Sequence, residues 1–391
     1  MTTLTPATEA ELCEAIAGSA AARTPLEIAG GGTRRALGRP VQAEAAVSTA
    51  AISGIRLYEP GALTLVVAAG TPLAEVEAAL AAEGQRLPFE PMDHRALLGS
   101  TGEPTIGGAV ACGVSGPRRI QAGACRDSMI GVRFVNGRGE AVANGGRVMK
   151  NVTGYDLVKL MAGSYGTLGV LTEVAFKVLP RPERALTLVL EGLEDARAAA
   201  ALSAAVTAPF DVNGAAHLPA RNGTPARTLL RVEGLEAQAE YRATSLARVL
   251  APFGEAGRVE GEAHEALWRD IRDAARFKGR DGAVWRLSLR PSDAPGAVAR
   301  LRTALGADAF YDWAGGLVWL CLPETGDAGA SAIRAETARL GGHATLIRAS
   351  AATRAAVEVF EPEPAPLASI SAGLRAKFDP AGILNPGRMR A

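Results

Sequence analysis

Three glycine-rich runs in the first half of the chain limit its fold more than any other feature. They are Gly30-Gly31-Gly32-Thr33, Thr105-Ile106-Gly107-Gly108 and Gly163-Ser164-Tyr165-Gly166-Thr167-Leu168-Gly169. Without a Cβ, glycine reaches positive φ and lets a backbone come close to another group. Three such loops imply one extended anionic ligand threaded between subdomains. The first loop follows the apolar strand candidate Leu26-Glu27-Ile28. It lacks the Gly-x-Gly-x-x-Gly of a dinucleotide-binding turn and the Gly-Lys-Ser/Thr of a P-loop. Consecutive glycines followed by Thr33, Arg34 and Arg35 still build a nest for a diphosphate. Taken alone, a purely structural turn explains that loop equally well.

Periodicity fills in the elements between the loops. Thr8 and Glu11 form a capping box ahead of Leu12 and Ile16, which predicts a first helix. Leu63 to Val67 is β-branched and reads as a strand, and Thr71-Pro72 reads as the N-cap and first position of a helix carrying Leu73, Val76 and Leu80. Gly84 is expected to end it. Val132 to Val142 reads as a hairpin turning at Asn136-Gly137. A short helix is expected over 156–161 and a strand over 170–179, stopped by Pro180-Arg181-Pro182. In the second half, helices are expected at 194–207, 235–251, 263–277 and 369–378, and strands at 284–289, 317–321 and 344–347. The Pro/Glu-rich piece 360–364 reads as a surface loop.

Composition removes several classes of function. The 42 basic and 41 acidic side chains leave a net charge of +1, and only 5% of residues are aromatic. Neither nucleic acid nor an anionic membrane is the expected partner. The four cysteines, Cys13, Cys112, Cys125 and Cys321, suit neither a zinc site nor an iron–sulfur cluster and read as reduced thiols. No metal site is expected. No secretory signal is visible at the N-terminus, and no apolar run reaches the ~18 residues of a membrane span. The expected location is the cytoplasm, which leaves docking onto a membrane-bound partner open.

The segment from Thr105 to Gly169 is specific as a set. Thr105-Ile106-Gly107-Gly108, Ser115-Gly116-Pro117-Arg118-Arg119, Gly123, Arg126-Asp127 and the Gly163–Gly169 run resemble the FAD domain of the vanillyl-alcohol-oxidase (PCMH) type. The closing Phe378-Asp379-Pro380-Ala381-Gly382-Ile383-Leu384-Asn385-Pro386-Gly387 resembles the same family's C-terminal segment. A narrower resemblance, to the FAD-binding E subunits of bacterial glycolate oxidase, rests on residues 145–156, Gly-Gly-Arg-Val-Met-Lys-Asn-Val-Thr-Gly-Tyr-Asp. Residues 115–127 and the short overall length support it. The resemblance covers the first 180 residues and the last dozen or so.

The resemblance implies FAD as cofactor and assigns roles to residues. Gly30, Gly31, Gly32, Thr33 and Arg34 would form the first diphosphate loop. Thr105, Ile106, Gly107, Gly108, Ser115, Gly116, Arg119, Gly123 and Asp127 would form the second, which passes the diphosphate towards the flavin ring. Gly163, Gly169 and Val170 would hold the adenine end through backbone atoms, and Asn385 would return to the isoalloxazine edge. Covalent flavin attachment in this fold uses a histidine beside the first loop or a cysteine in the second. Arg34 and Arg35 stand where the histidine would be, and the pattern around Cys112 does not match the cysteine motif, so noncovalent FAD is expected.

The implied architecture is α+β: a two-lobed PCMH-type FAD domain over 1–181, then a reduced α+β cap domain over 182–391 whose last segment, 378–389, returns to the flavin. The implied function is the FAD-binding subunit of glycolate oxidase, which oxidises glycolate or a similar 2-hydroxy acid and passes electrons through flavin and an iron–sulfur subunit to quinone. A sister FAD subunit is the other implied partner. Two alternatives are a non-catalytic FAD relay or scaffold and a stand-alone D-2-hydroxy acid dehydrogenase. Full-length relatives carry a His-x-Gly-Asp-Gly-Asn-x-His type metal site, and nothing like it occurs here. His94, His217, His264 and His343 are the only histidines. His264-Glu265-Ala266-Leu267-Trp268 starts like a zinc helix but has Trp268 at the second ligand position, so a surface histidine is expected. His217 and His343 have no supporting neighbours in sequence. The catalytic residues stay unassigned. Arg119, Lys150 and Arg388 are candidates for a carboxylate or an FAD phosphate, and Trp313, Trp319 and Tyr311 read as core or interface.

Overall fold

The computed structural model describes residues 2–146 and 154–390. Most of the 145–156 segment, Lys150 included, lies outside the described residues. The chain divides into two compact units. The first holds residues 2–115, 123–181 and 362–390, and the second holds 116–122 and 182–361. This differs from a single cut at Arg181 in two places. The short piece 116–122 is built into the second unit, and the return to the first unit begins at Pro362.

Among the described residues, two apolar cores build the first unit. One lies around a parallel three-stranded sheet, ordered Thr2–Leu4, Ala45–Ser48, Leu26–Ala29. Leu12 and Ile16 of the helix Glu9–Ala22 pack there with Leu26, Val47, Val135, Val170, Ile383 and Leu384. That helix starts as its sequence predicts. Thr8 Oγ1 accepts from Glu11 N at 3.1 Å, and Glu11 Oε2 accepts from Ala7 N at 2.8 Å. The second core lies on an antiparallel five-stranded sheet, ordered Ile55–Glu59, Thr64–Ala68, Val170–Lys177, Met129–Val135, Ala141–Gly145. Leu65, Val67, Phe134, Val174 and Phe176 alternate onto its core face and meet Val76 and Leu80 of the helix Leu73–Ala82.

Two local expectations change. Thr71 is not the N-cap of Leu73–Ala82; Pro72 is. The Thr71 hydroxyl donates to Ala68 O at 2.7 Å and accepts from Gly54 N at 2.9 Å, so it closes the turn leaving the strand instead. In the hairpin, positive φ falls at Gly139 (79°) and not at Asn136-Gly137, because Asn136 Oδ1 accepts from Arg138 N and Glu140 N and forms the turn with its side chain. Gly137 is bare for another reason: a Cβ there would collide with Asp379.

The second unit is an eight-stranded antiparallel sheet. Its order is Gly257–Glu260, Arg184–Glu191, Arg227–Gly234, Gly214–Leu218, Asp308–Asp312, Leu317–Leu322, Ala283–Ser288, His343–Arg348. Helices Asp195–Thr207 and Glu236–Leu250 cover one half of one face, and Ala294–Leu305 and Ala330–Leu340 cover the other half. The helix expected over 263–277 runs as Gly261–Arg272. It stops before Ala274, whose φ is 50°, and a separate 3-10 turn Ala275–Phe277 follows.

Candidate functional site

All three glycine-rich runs meet at one solvent-open cleft in the first unit. Gly30, Gly31, Gly32, Thr33 and Arg34 line it from the first run, Thr105, Gly107 and Gly108 from the second, and Tyr165, Gly166, Gly169 and Val170 from the third. Asn385 and Arg388 complete it from the C-terminal segment.

The glycines are bare because backbones meet at these points. A Cβ on Gly30 would strike the Thr105 hydroxyl, and one on Gly31 would overlap the Glu103 carbonyl. A Cβ on Gly107 would come within 2.7 Å of Ala69 O, and one on Gly166 within 2.8 Å of Asn385 Nδ2. The third run is tied to the second by Gly163 N to Val110 O (3.0 Å) and Tyr165 N to Ala111 O (2.8 Å). Asn385 joins the first and third. Its Oδ1 accepts from Ile28 N at 2.9 Å, and its Nδ2 donates to Tyr165 O at 2.8 Å. It is buried and sits at φ 46°.

The charge on the wall has one sign. Its arginines are Arg34, Arg35 and Arg388, and no Asp or Glu lines it among the described residues. Arg388 is committed to structure, donating to Arg35 O (2.6 Å) and Leu37 O (3.1 Å) and pairing with Glu27. Arg34 is different. Its guanidinium is buried, its Nη2 donates to Met92 O at 2.9 Å, and its Nε has no hydrogen-bond partner. Burial lowers its pKa, though an arginine remains charged. A buried cation with an orphan donor, facing a cleft without carboxylates, suits a diphosphate. Apolar stretches at Ile28, Leu37, Ala69, Ala111, Val170 and Leu171 suit ring systems. The site therefore fits a flavin dinucleotide.

Comparison with known proteins agrees with this chemistry. Residues 2–144 match the family model described as an FAD binding domain. The glycolate oxidase subunit GlcE of Escherichia coli is 37% identical over 94% of this chain and 93% of its own length. The chain belongs to the GlcE family. Its cofactor is FAD. Shorter matches include the glycolate oxidase subunit GlcD of Bacillus subtilis, 42% identical over 22% of this chain and 18% of that protein. Among solved structures, alkyldihydroxyacetonephosphate synthase matches with a TM-score of 0.69 and 16% identity, over 98% of this chain and 76% of that one. This last likeness concerns the fold alone.

Several residues singled out from the sequence of this GlcE-family chain do not line the cleft. Ile106 is buried in the helix Ile106–Ala111, which Thr105 caps by accepting from Gly108 N at 3.2 Å. Ser115 Oγ accepts from Cys125 N (3.0 Å), and Asp127 Oδ2 accepts from Ala124 N (2.8 Å), so both brace the turn that Gly123 enters at φ 80°. Gly163 packs on Gly113. Gly116 and Arg119 belong to the second unit, where Trp313 Nε1 donates to Gly116 O at 3.0 Å and the Arg119 guanidinium lies 4.5 Å from the Trp313 ring centroid. Cys112 lines the cleft, but burial raises its thiol pKa. Tyr165 and Gly166 line it as well; they lay inside the third run but were not assigned a role.

The histidines also resolve. None of the four lines the cleft. His264 is not on the surface: it is buried, and its Nδ1 lies 2.9 Å from Thr187 Oγ1, which also accepts from Trp268 Nε1 at 2.8 Å. His-Glu-x-x-Trp is thus a helix face bound to one threonine. His217 has neighbours that its sequence context hides. Its Nδ1 lies 2.9 Å from Thr228 Oγ1, and its Nε2 lies 3.3 Å from Asp195 Oδ1. Asp195 Oδ2 also accepts from Tyr311 OH (2.6 Å) and Arg302 (2.7 Å). Tyr311 and Trp319 are buried core residues.

Proposed function

We propose that this chain is the FAD-binding E-type subunit of a glycolate oxidase. In this reading glycolate is oxidised to glyoxylate in a cytoplasmic complex with a sister FAD subunit and an iron–sulfur subunit. The complex would reach the inner membrane through those partners. The observation that carries the reading is the first-unit cleft: glycine loops and cations on its wall, and no carboxylate. Gly30, Gly31, Gly32, Thr33, Arg34, Thr105, Gly107, Gly108, Gly169, Val170 and Asn385 hold the cofactor there. Arg34 supplies a desolvated charge for the diphosphate, and Asn385 fixes the spacing of two loops. Ile106, Ser115, Gly123, Asp127 and Gly163 position those loops from behind.

FAD supplies a two-electron acceptor for the hydrogen on the α-carbon of a 2-hydroxy acid. Arg34 and Arg35 follow the first loop, where a tethering histidine would stand, and burial raises the pKa of the Cys112 thiol, which disfavours its thiolate. We therefore infer noncovalent FAD.

The absence of histidine from the cleft wall favours a second reading, in which the chain carries electrons while the sister subunit oxidises substrate. Anaerobic visible spectra separate the two. Bleaching of the purified chain by glycolate shows that it oxidises substrate by itself, the behaviour also expected of a stand-alone 2-hydroxy acid dehydrogenase. Bleaching only after the partner subunits are added shows a relay. A chain that binds FAD but stays oxidised under both conditions contradicts the glycolate oxidase reading.

A further inference from the structure

The second unit carries a cationic surface that neither the glycine-lined cleft nor the core networks account for. Register places it. Trp285 and Leu287 face the helices Ala294–Leu305 and Ala330–Leu340, so Arg286 and Ser288 point to the opposite face of the sheet. On that face Arg286 stands directly across from Trp319 on one neighbouring strand and Thr345 on the other. His343 pairs with Ser288, which makes it the diagonal neighbour of Arg286 on the same face. Trp319 stacks on Phe310 with centroids 6.1 Å apart and planes 8° apart, and both rings are buried beneath that face.

At the end of the strand pair Asp308–Asp312 and Leu317–Leu322, Trp313 and Ala314 both sit at positive φ, 50° and 57°. Two consecutive non-glycine residues in that region cost free energy and persist where surrounding contacts hold them. Here the contacts are Trp313 Nε1 to Gly116 O, Asp312 Oδ1 accepting from Trp313 N, and Arg119 over the indole.

Charge on this surface is unbalanced. Arg286 is half-buried and, among the described residues, makes no hydrogen bond or ion pair with the protein. The nearby carboxylate Glu361 is committed to Arg334 and to Ala344 N, which donates to it at 2.8 Å. Partial burial, then Arg286, and further Arg119 and Arg334, hold the His343 pKa below its usual 6.5, against the opposing pull of Glu361. A half-buried guanidinium without a counter-charge, diagonal to an exposed imidazole, has the donors that a carboxylate accepts.

We propose that Arg286, His343 and Arg119, beside Trp313, form a binding site for a small monocarboxylate. Arg286 grips the carboxylate, and Arg119 contributes charge from its place on Trp313. That the acid is a 2-hydroxy acid rests on the glycolate oxidase reading; the site itself does not.

The test uses the full-length, FAD-loaded chain and follows the His343 ring by nuclear magnetic resonance while glycolate, glycolamide or inorganic phosphate is added. Glycolate is expected to shift the His343 resonance saturably and to raise its pKa, with neutral glycolamide at least tenfold weaker. Arg286→Gln should weaken glycolate at least tenfold and Arg119→Gln severalfold, with the flavin spectrum unchanged in both; Arg286→Lys should recover part of the loss. Equal response to glycolate and glycolamide, or wild-type affinity in both Gln variants, overturns the proposal. Tighter binding of phosphate than of glycolate overturns the carboxylate assignment. A chain that fails to take up FAD defeats the functional reading, while the glycolate titration still decides this site.

Discussion

The glycine-lined cleft and the eight-stranded sheet reach order by opposite means. In the first unit, side chains are removed so that backbones can touch: Gly30 against Thr105, Gly31 against Glu103, Gly107 against Ala69 and Gly166 against Asn385. In the second, side chains are added and buried in polar groups. Arg118 and Glu233 form an ion pair at 2.6 Å with side-chain exposures of 2% and 6%. Asp195, His217, Tyr311 and Arg302 share hydrogen bonds, and Thr187 serves both His264 and Trp268. A cleft built from backbone leaves its backbone donors and the orphan Nε of Arg34 for a ligand. A sheet braced by ion pairs and hydrogen bonds among its own side chains spends them on itself, which makes the unpartnered Arg286 stand out.

The largest effect is expected where backbone meets backbone. In Gly31→Ala the new methyl overlaps the Glu103 carbonyl, a rigid neighbour, so the loops must separate. FAD content should fall at least a hundredfold, read as the ratio of absorbance near 450 nm to that at 280 nm. Retention of near-wild-type flavin would show that the loop contact is not needed. Next is Glu233→Ala, which strands Arg118 and Arg231 and should destabilise the second unit by about 3–5 kcal/mol in urea unfolding. A loss under ~1 kcal/mol would mean that the buried pair braces little.

Asp195 gives a pH-dependent test. Burial acts to raise its pKa, but hydrogen bonds from His217 and Tyr311 and the charge of Arg302 outweigh it and leave the carboxyl below its usual 3.8. A depressed folded pKa contributes stability that is present above 3.8 and lost as pH falls through the lower folded value. Asp195→Asn should therefore cost stability at pH 7, with the difference from wild type shrinking as pH drops below 3.8. A difference that does not change with pH would contradict the charged network. The smallest effect is Thr8→Ala, which removes an exposed helix cap and should cost about 1 kcal/mol with no change in flavin content.

The two regions also differed in how far the sequence revealed them. Backbone contacts leave a mark in sequence, because only glycine tolerates them; the three runs that line the cleft could be picked out by eye. The capping box at Thr8 and Glu11 was visible for a similar reason, since both partners lie within one turn. The networks of the second unit join residues far apart in the chain, such as Asp195 with Tyr311 or Arg118 with Glu233, and no local pattern announces them. His217 looked isolated because its partners come from another strand and a helix start. His264 reads as exposed because its helix sequence does not show Thr187 on the strand it packs against. Thr71 shows the limit of local rules: its hydroxyl had two possible backbone partners, and the turn behind it won over the helix ahead. Gly116 and Arg119 belonged by motif to the second glycine loop, yet the Trp313 contacts hold them in the other unit.

The most direct test of the account is the fate of the yellow colour when the purified chain is precipitated with acid. The account predicts one FAD per chain before precipitation, all of it released to the supernatant and none left on the pellet. A colourless chain that takes up no added FAD, or a pellet that keeps the flavin, would contradict it.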